Sequence, residues 1–295
     1  VTGYTVYGAG TNVGEYDVNV TLDSVQILRG GVDVTYQYDV VTAPGKLTIG
    51  TATISDAHPH GALTVAQVIQ KSSNVGTAKI AATLQPQQMW EMFDAVGLGQ
   101  PPHLGFPGEV GGRLRPWKSW RPIEQATMSY GHGVSVSLIQ LARAHMVLPR
   151  EGDIIPLSLT RVEGDPIGAT PVFSQQTARE VRAMLELAVQ PGGTAPRAQI
   201  PGYRVAGKTG TAYKIEGGQY VKKYVASFVG FAPASDPRLV VAVMIDEPGG
   251  AAHYGGDVAG PIFATVMSGA LRTLGVPPDA PVRMAENPAA RKEAL

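Results

Sequence analysis

Hydrophobic and polar positions follow two different periods along this chain. The stretch up to Val41 is rich in Val, Thr, Tyr and Gly, and Tyr16 to Thr21 and Val32 to Val41 carry the β-branched and aromatic enrichment of strands. From Ala43 the character changes. Val65, Val68, Ile69, Val75, Ala78 and Ile80 show helix-like apolar spacing over Leu63 to Leu84, with Thr64 placed to cap the first turn. The polar triplet Ser72-Ser73-Asn74 interrupts this pattern. Such side chains compete for backbone hydrogen bonds, so a loop between two helices is predicted there.

Further helices are predicted over Pro86 to Val96, which opens on a proline suited to a first helical turn, over Val134 to Leu148 and over Thr177 to Val189. Gly- and Pro-rich connections fill Gly97 to Pro122. After Gly202 the period turns to that of strands, over Tyr203 to Ala206, Tyr224 to Phe231 and Leu239 to Ile245. Glu216-Gly217-Gly218 and Pro233 to Pro237 are the turns, and the later two strands read as antiparallel neighbours. An apolar helix over Ala259 to Leu274 follows. Pro277 to Leu295 is a loose tail rich in Pro, Ala and charge.

Composition narrows the function classes. The 295 residues are long enough to bury a large core, and 16% charged against 44% hydrophobic residues describes a globular chain. The formal net charge is zero, so no basic field attracts phosphate backbones, and nucleic acid is not an expected partner. The chain has no cysteine, which removes disulfides and thiolate catalysis and leaves the redox compartment open. No run of about 18 apolar residues and no signal-peptide pattern occurs, so a membrane anchor, if the native protein has one, is expected outside this sequence.

The chemistry sits in two short motifs. Lys208-Thr209-Gly210-Thr211-Ala212 falls where a strand begins or runs, and a strand glycine often marks close approach of a ligand to the backbone. A lysine with hydroxyls beside it suits a carboxylate ligand. On its own the motif reads first as a surface turn with a solvated lysine. Ser72-Ser73-Asn74 upstream changes the balance, because Ser-x-Asn followed by Lys-Thr-Gly is two-thirds of the serine acyltransferase motif set. His58 and His60 flank Pro59 in a loop-like stretch, and with His132 they fall short of the convergent ligands that a zinc site requires; no metal and no cofactor is expected.

The surrounding text sharpens the match. Gln70-Lys71-Ser72-Ser73-Asn74-Val75-Gly76, Met128-Ser129-Tyr130-Gly131-His132-Gly133, Val205 to Ala212 and Phe228-Val229-Gly230-Phe231-Ala232-Pro233 resemble the class B, division-specific penicillin-binding proteins, from about Thr42 to Val276. The resemblance implies an α+β penicillin-binding and β-lactamase-like fold, a mixed central antiparallel sheet flanked by helices. It implies a D,D-transpeptidase that crosslinks stem peptides ending in D-Ala-D-Ala during septal wall synthesis, binds β-lactam antibiotics, works beside division proteins, and faces the periplasm from an inner-membrane anchor. Carried over residue by residue, Ser72, Asn74 and Lys208 become catalytic residues: Ser72 shuttles a proton, Asn74 holds the peptide amide and Lys208 orients Ser72. Thr209 and Thr211 take the substrate carboxylate, Gly210 leaves room for it, and Tyr254 in His253-Tyr254-Gly255-Gly256 contacts the ligand, although a Gly-rich surface turn is an equal reading of that segment.

One part of the set is missing. The family's nucleophile opens a helix in a Ser-x-x-Lys motif, because a serine hydroxyl needs an adjacent base. No Ser-x-x-Lys occurs anywhere in this chain. Counting back from Ala43-Pro44-Gly45-Lys46, the family's Glu-Pro-Gly-Ser-x-x-Lys overlies Glu15 to Thr21, with Val18 in the serine's place and Thr21 in the lysine's. Residues 1–41 are therefore expected to be an atypical strand-like segment in place of the nucleophile region, 42–276 the transpeptidase domain and 277–295 a flexible tail. A non-catalytic scaffold or peptide-binding module of the division machinery is the alternative reading, and a serine β-lactamase is a third.

Overall fold

The structure is a computed structural model that describes residues 28–29, 32–33, 40–42, 46–164 and 168–280. The strand expected over Tyr16 to Thr21 and the last part of the expected tail, 281–295, lie outside the described residues. So do the positions that would carry the nucleophile, Val18 and Thr21.

Short antiparallel pairs open the described chain: β1 (Leu28–Arg29) with β2 (Val32–Asp33), and β4 (Lys46–Ile49) with β5 (Ala52–Ser55), while β3 (Val40–Thr42) pairs with β6 (Ala62–Thr64). The helix α1 (Val65–Lys71) starts on a capping box, in which Thr64 Oγ1 accepts the Gln67 N–H and Gln67 Oε1 accepts the Thr64 N–H. It stops at Ser72, and α2 (Asn74–Ala81) begins two residues later, so the polar triplet divides one apolar face into two helices as its chemistry predicts. Then come α3 (Pro86–Ala95), α4 (Pro122–Met128) and α5 (Leu138–Met146). Buried Ile54, Leu63, Val68, Val75, Ala78 and Ala126 form the core of this helical part.

The second part is built on a sheet. After the pair β7 (Asp153–Ile154) and β8 (Thr170–Pro171), α6 (Gln175–Val189) leads to β9 (Ala206–Glu216), β10 (Gln219–Ala232) and β11 (Leu239–Asp246), a three-stranded antiparallel sheet ordered β11-β10-β9. Gly217 and Gly218 close the β9–β10 hairpin with φ of 58° and 79°, the positive angles that a two-residue turn between twisted strands demands. The chain then closes on α7 (Gly255–Thr273).

Successive strand residues point to opposite faces, and the sheet is covered on both. Phe228 faces α7 and joins Val243, Phe263, Met267 and Leu271, with the Phe228 and Phe263 rings 4.7 Å apart edge to face. Phe231, three residues on and so on the other face, packs with Ala206, Val147, Ile154 and Leu185 beneath α5 and α6. This is the α+β, helix-flanked antiparallel sheet that the resemblance implies.

Several boundaries differ from the sequence expectation, the strand expected over Tyr224 to Phe231 among them, which runs from Gln219 to Ala232, and three of the differences have a local reason. The helix expected from Val134 starts at Leu138, because Ser135 is held in a bridge to Arg113, at 2.7 and 3.1 Å, and Ser137 caps the first turn. The strand expected from Tyr203 starts at Ala206: Arg204 instead donates its N–H to Asp279 and accepts from the Ala234 N–H. The last helix, expected from Ala259, starts four residues earlier at Gly255, against the low helix propensity of two successive glycines.

Candidate active site

The cleft forms where the two parts meet. On the helical side, α1 ends in a Schellman arrangement: the Ser72 N–H reaches the Ile69 carbonyl at 3.2 Å and the Ser73 N–H reaches that of Val68 at 3.0 Å. This closure holds Ser72 in the left-handed region, φ 56°, which lifts its side chain off the helix toward the sheet. A non-glycine residue in this conformation carries strain of the sort that collects at functional sites.

Ser73 points the opposite way. It is buried, caps α2 by accepting the Gly76 N–H at 2.9 Å, and donates to Asp56 Oδ2 at 2.7 Å. Asp56 Oδ1 accepts the Val75 N–H at 3.0 Å, so a carboxylate stands at the positive end of α2. Asn74, the first residue of α2, donates its amide to the Ser55 carbonyl at 3.3 Å. The triplet is thus anchored from below at each residue except Ser72, whose hydroxyl is free to face the cleft.

On the sheet side, Lys208, Thr209, Gly210 and Thr211 run along β9 opposite Val229, Phe228, Ser227 and Ala226 of β10. Lys208 Nζ crosses the seam and donates to Ser72 Oγ at 2.7 Å. Its two other contacts are to Thr209, 3.2 Å to the carbonyl and 3.4 Å to Oγ1. Thr209 and Thr211 share the other face of the strand: Thr209 Oγ1 lies 3.0 Å from Thr194 Oγ1, and Thr211 Oγ1 accepts the Gly255 N–H at 3.1 Å. A hydroxyl that accepts in this way keeps its own proton for an incoming anion.

Glycines set the width. A Cβ on Gly210 would stand 2.5 Å from Ser227 Oγ. A Cβ on Gly255 would collide with the Ser227 carbonyl and stand 2.6 Å from the Gly210 oxygen, and one on Gly256 would collide with the Thr194 carbonyl. The start of α7 therefore lies directly on the backbone of β9, β10 and the Thr194 loop, an approach that only glycine permits. A second clamp comes from α1, where Lys71 Nζ donates to the Gly192 carbonyl at 2.8 Å and ties the Thr194 loop to the helix that ends at Ser72.

Desolvation pulls the Lys208 ammonium down to about 8. Burial also lowers the imidazole of His145 on α5; its Nδ1 lies 2.9 Å from the Leu141 carbonyl, and the Lys208 charge pushes the same way as burial. A chain of rings forms the rim: Tyr213 and Tyr224 with centroids 4.9 Å apart, Tyr224 stacked on His253 at 4.0 Å, and His253 beside half-exposed Tyr254 at 4.5 Å. His132 sits between Tyr130 and Tyr220, at 5.5 and 6.0 Å, in this aromatic run. Among the described residues no group of three or more His, Asp or Glu side chains is placed to hold a metal.

Of the residues singled out in the sequence, Ser72, Lys208, Thr209, Gly210 and Thr211 come together in one cleft. Tyr254 caps α7 one residue from Gly255, which puts it at the same rim. Asn74 is adjacent in sequence, but its amide is engaged with β5. Sequence reasoning missed Thr194, Lys71 and Asp56. Gly192-Gly193-Thr194 carries a turn signal, yet nothing in the sequence alone pairs it with a strand fifteen residues later.

A hydroxyl-rimmed strand with a lysine bridged to a serine on a helical turn, in a helix-flanked antiparallel sheet, is the arrangement of the penicillin-recognising serine acyltransferases. Residues 33–268 match the model of the penicillin binding protein transpeptidase domain, and the chain belongs to that family. It is 44% identical to a probable peptidoglycan D,D-transpeptidase PenA of Neisseria flavescens over 92% of this chain and 66% of that protein. It is 40% identical to the peptidoglycan D,D-transpeptidase FtsI of Escherichia coli, over 77% of this chain and 39% of the relative. The chain thus spans under two-thirds of the length of these curated relatives. The apo transpeptidase domain of Burkholderia pseudomallei penicillin-binding protein 3 superposes with a TM-score of 0.79 at 53% identity, covering 82% of this chain and 74% of that one. These relatives place it among the class B members.

Proposed function

We propose that this chain is the transpeptidase domain of a septal peptidoglycan D,D-transpeptidase, a serine-type enzyme by family, and that the cleft between α1 and β9 receives donor stem peptides ending in D-Ala-D-Ala, and β-lactams. The observation that carries the reading is the 2.7 Å bridge from Lys208 to Ser72, set beside three threonine hydroxyls. Residues 42–276 form this domain, with 1–41 in place of the nucleophile segment and 277–295 as a tail. The whole protein sits in the periplasm, anchored to the inner membrane, in contact with division proteins. No helix among the described residues is long and apolar enough to cross a membrane.

Each residue then has a task. Among the described residues β9 is the edge of its sheet, so an extended peptide can add beside it as a further strand. Thr209 and Thr211 donate their hydroxyl protons to the terminal carboxylate, and the positive charge of Lys208 lies within a contact of Thr209 Oγ1. The Thr211 backbone N–H serves as one oxyanion donor, a type whose removal costs on the order of 10² to 10³ in rate. Ser72, held by Lys208, passes protons, Asn74 accepts the peptide N–H on Oδ1 while its Nδ2 stays on the Ser55 carbonyl, and Tyr254 covers the ligand. These roles serve an acylation that needs a serine nucleophile with a base beside it; no Ser-x-x-Lys occurs in the chain, so the cleft as it stands keeps the recognition part of this set and binds without forming an acyl-enzyme.

Intact-mass spectrometry after incubation with benzylpenicillin tests this together with titration of a diacetyl-lysyl-D-alanyl-D-alanine peptide. The expected result is saturable peptide binding, lost in Thr209→Val, and no covalent adduct. A stable adduct, mapped to one residue, would overturn the non-acylating reading and name the nucleophile. Absence of peptide binding by a folded chain would overturn the donor site.

A further inference from the structure

A cavity of about 410 Å³ opens between α5, the turn that follows it and the start of β11, and it shares no residue with the cleft. Its size is that of a small-molecule site. Ile139, Met146, Leu157 and Val240 supply apolar walls, and three arginines, Arg143, Arg150 and Arg238, stand among its lining residues. Their states differ. Arg150 is neutralised by Asp153 at 2.7 Å. Half-buried Arg143 gives its Nε to the Ile155 carbonyl at 3.2 Å, and among the described residues it has no carboxylate partner. Exposed Arg238, at the mouth, has none either.

Partial burial of a charge without a counter-ion costs free energy that an anion in the cavity would return. Desolvation already pulls the Arg143 guanidinium below its ordinary range. The apolar walls exclude inorganic phosphate as the best fit, because a fully hydrated anion gains nothing from them. A carboxylate satisfies the planar donor fork of an arginine with two parallel hydrogen bonds. Ile139, Ala142, Arg143 and Met146 recur at helical spacing, so one face of α5 presents both the charge and the greasy wall.

We propose that this cavity is a second binding site, for a small organic carboxylate with an apolar body, in which Arg143 and Arg238 clamp the carboxylate and the Ile139, Met146 and Val240 side chains cover its hydrocarbon. The site stands apart from the cleft and does not depend on the reading given to it.

The test titrates 4-phenylbutyrate into the full 295-residue chain, read by saturation-transfer NMR and calorimetry, with 4-phenylbutanol as the uncharged control. The expected result is saturable binding of the acid, at least roughly tenfold weaker binding of the alcohol, and a loss of about tenfold in Arg238→Met, the change in affinity that one charge-assisted contact is worth. Arg238 is exposed, so its replacement leaves the fold intact; Arg143→Met, checked for folding by circular dichroism, should remove binding further. Thr209→Val, which disables the cleft, should leave the acid bound as before. No binding of the acid by the native chain, equal binding of acid and alcohol, unchanged binding in a folded double arginine variant, or loss of binding in Thr209→Val would each overturn the proposal.

Discussion

Raising the pH through 8 should weaken carboxylate binding in the cleft and at the same time stabilise the fold, and the opposite signs share one cause. Lys208 titrates near 8 in the folded chain because burial disfavours its ammonium, against 10.5 in the open. Below pH 8 both folded and unfolded chains carry the proton, and the folded one bears the full desolvation cost. Between 8 and 10.5 the folded chain sheds that proton while the unfolded chain still holds it, so stability rises with pH across this window. Ligand binding runs the other way. A carboxylate on Thr209 and Thr211 would lie about 5 Å from Nζ, where two unit charges at an effective dielectric of about 20 attract by roughly 3 kcal/mol. If competition with water leaves half of this, the ammonium is worth about tenfold in affinity. Calorimetric titration of the diacetyl-lysyl-D-alanyl-D-alanine peptide at pH 7 and pH 9.5, beside urea denaturation at the same values, measures both. Lys208→Met should bind about tenfold more weakly at pH 7 and show neither pH trend. Peptide affinity that is flat from pH 7 to 9.5, in a chain whose Lys208 is shown by NMR to titrate, would refute the argument.

Other changes give separate checks. Ser73→Ala removes the cap of α2 and leaves Asp56 Oδ2 without its donor, so urea unfolding should show a loss of about 2–3 kcal/mol, and a loss below about 0.5 would show that the cap is dispensable. Gly255→Ala drives a methyl group into the Ser227 carbonyl and should weaken peptide binding more than roughly tenfold, with thermal scanning to show whether the fold also suffers. Phe228→Ala empties the space between β10 and α7, which should cost about 3–5 kcal/mol by chemical denaturation, with any residual binding by the folded fraction unchanged.

Much of this cleft was legible because the chemistry was written in contiguous residues. Ser72-Ser73-Asn74 breaks an apolar helical pattern, and Lys208 to Thr211 interrupts a strand with a glycine; both signals are local. What stayed hidden depends on contacts between distant segments. Asp56 lies in a stretch that its histidines make look like a loop, yet its carboxylate is what fixes Ser73 and Val75. Lys71 reads as the basic last turn of a helix but spends its charge on the Gly192 carbonyl. The glycines at the start of α7 argue against a helix by propensity, and only the backbone of Ser227 and Thr194 pressing on them explains why they begin one. Helix and strand boundaries failed where tertiary bonds, such as those from Arg204 to Asp279 and from Arg113 to Ser135, overrode the local pattern.

The cleft's position at a seam has a consequence for how it tolerates change. Ser72 is rooted in a core of Val68, Val75 and Ala126, while Lys208 and the threonines are rooted in the two clusters that sandwich the sheet. The buried residues of the Ser72 core are not those of the sheet clusters, although Ile69 of α1 packs against the cluster that holds Phe231. Across the seam run the Lys208–Ser72 and Lys71–Gly192 hydrogen bonds and the packing of α1 against α6. The width of the cleft is therefore a docking distance, set by these hydrogen bonds together with the apolar packing of α1 on α6. Ser72 on one side and Lys208, Thr209 and Thr211 on the other thus draw their geometry from the packing of these clusters rather than from a ligand in the cleft.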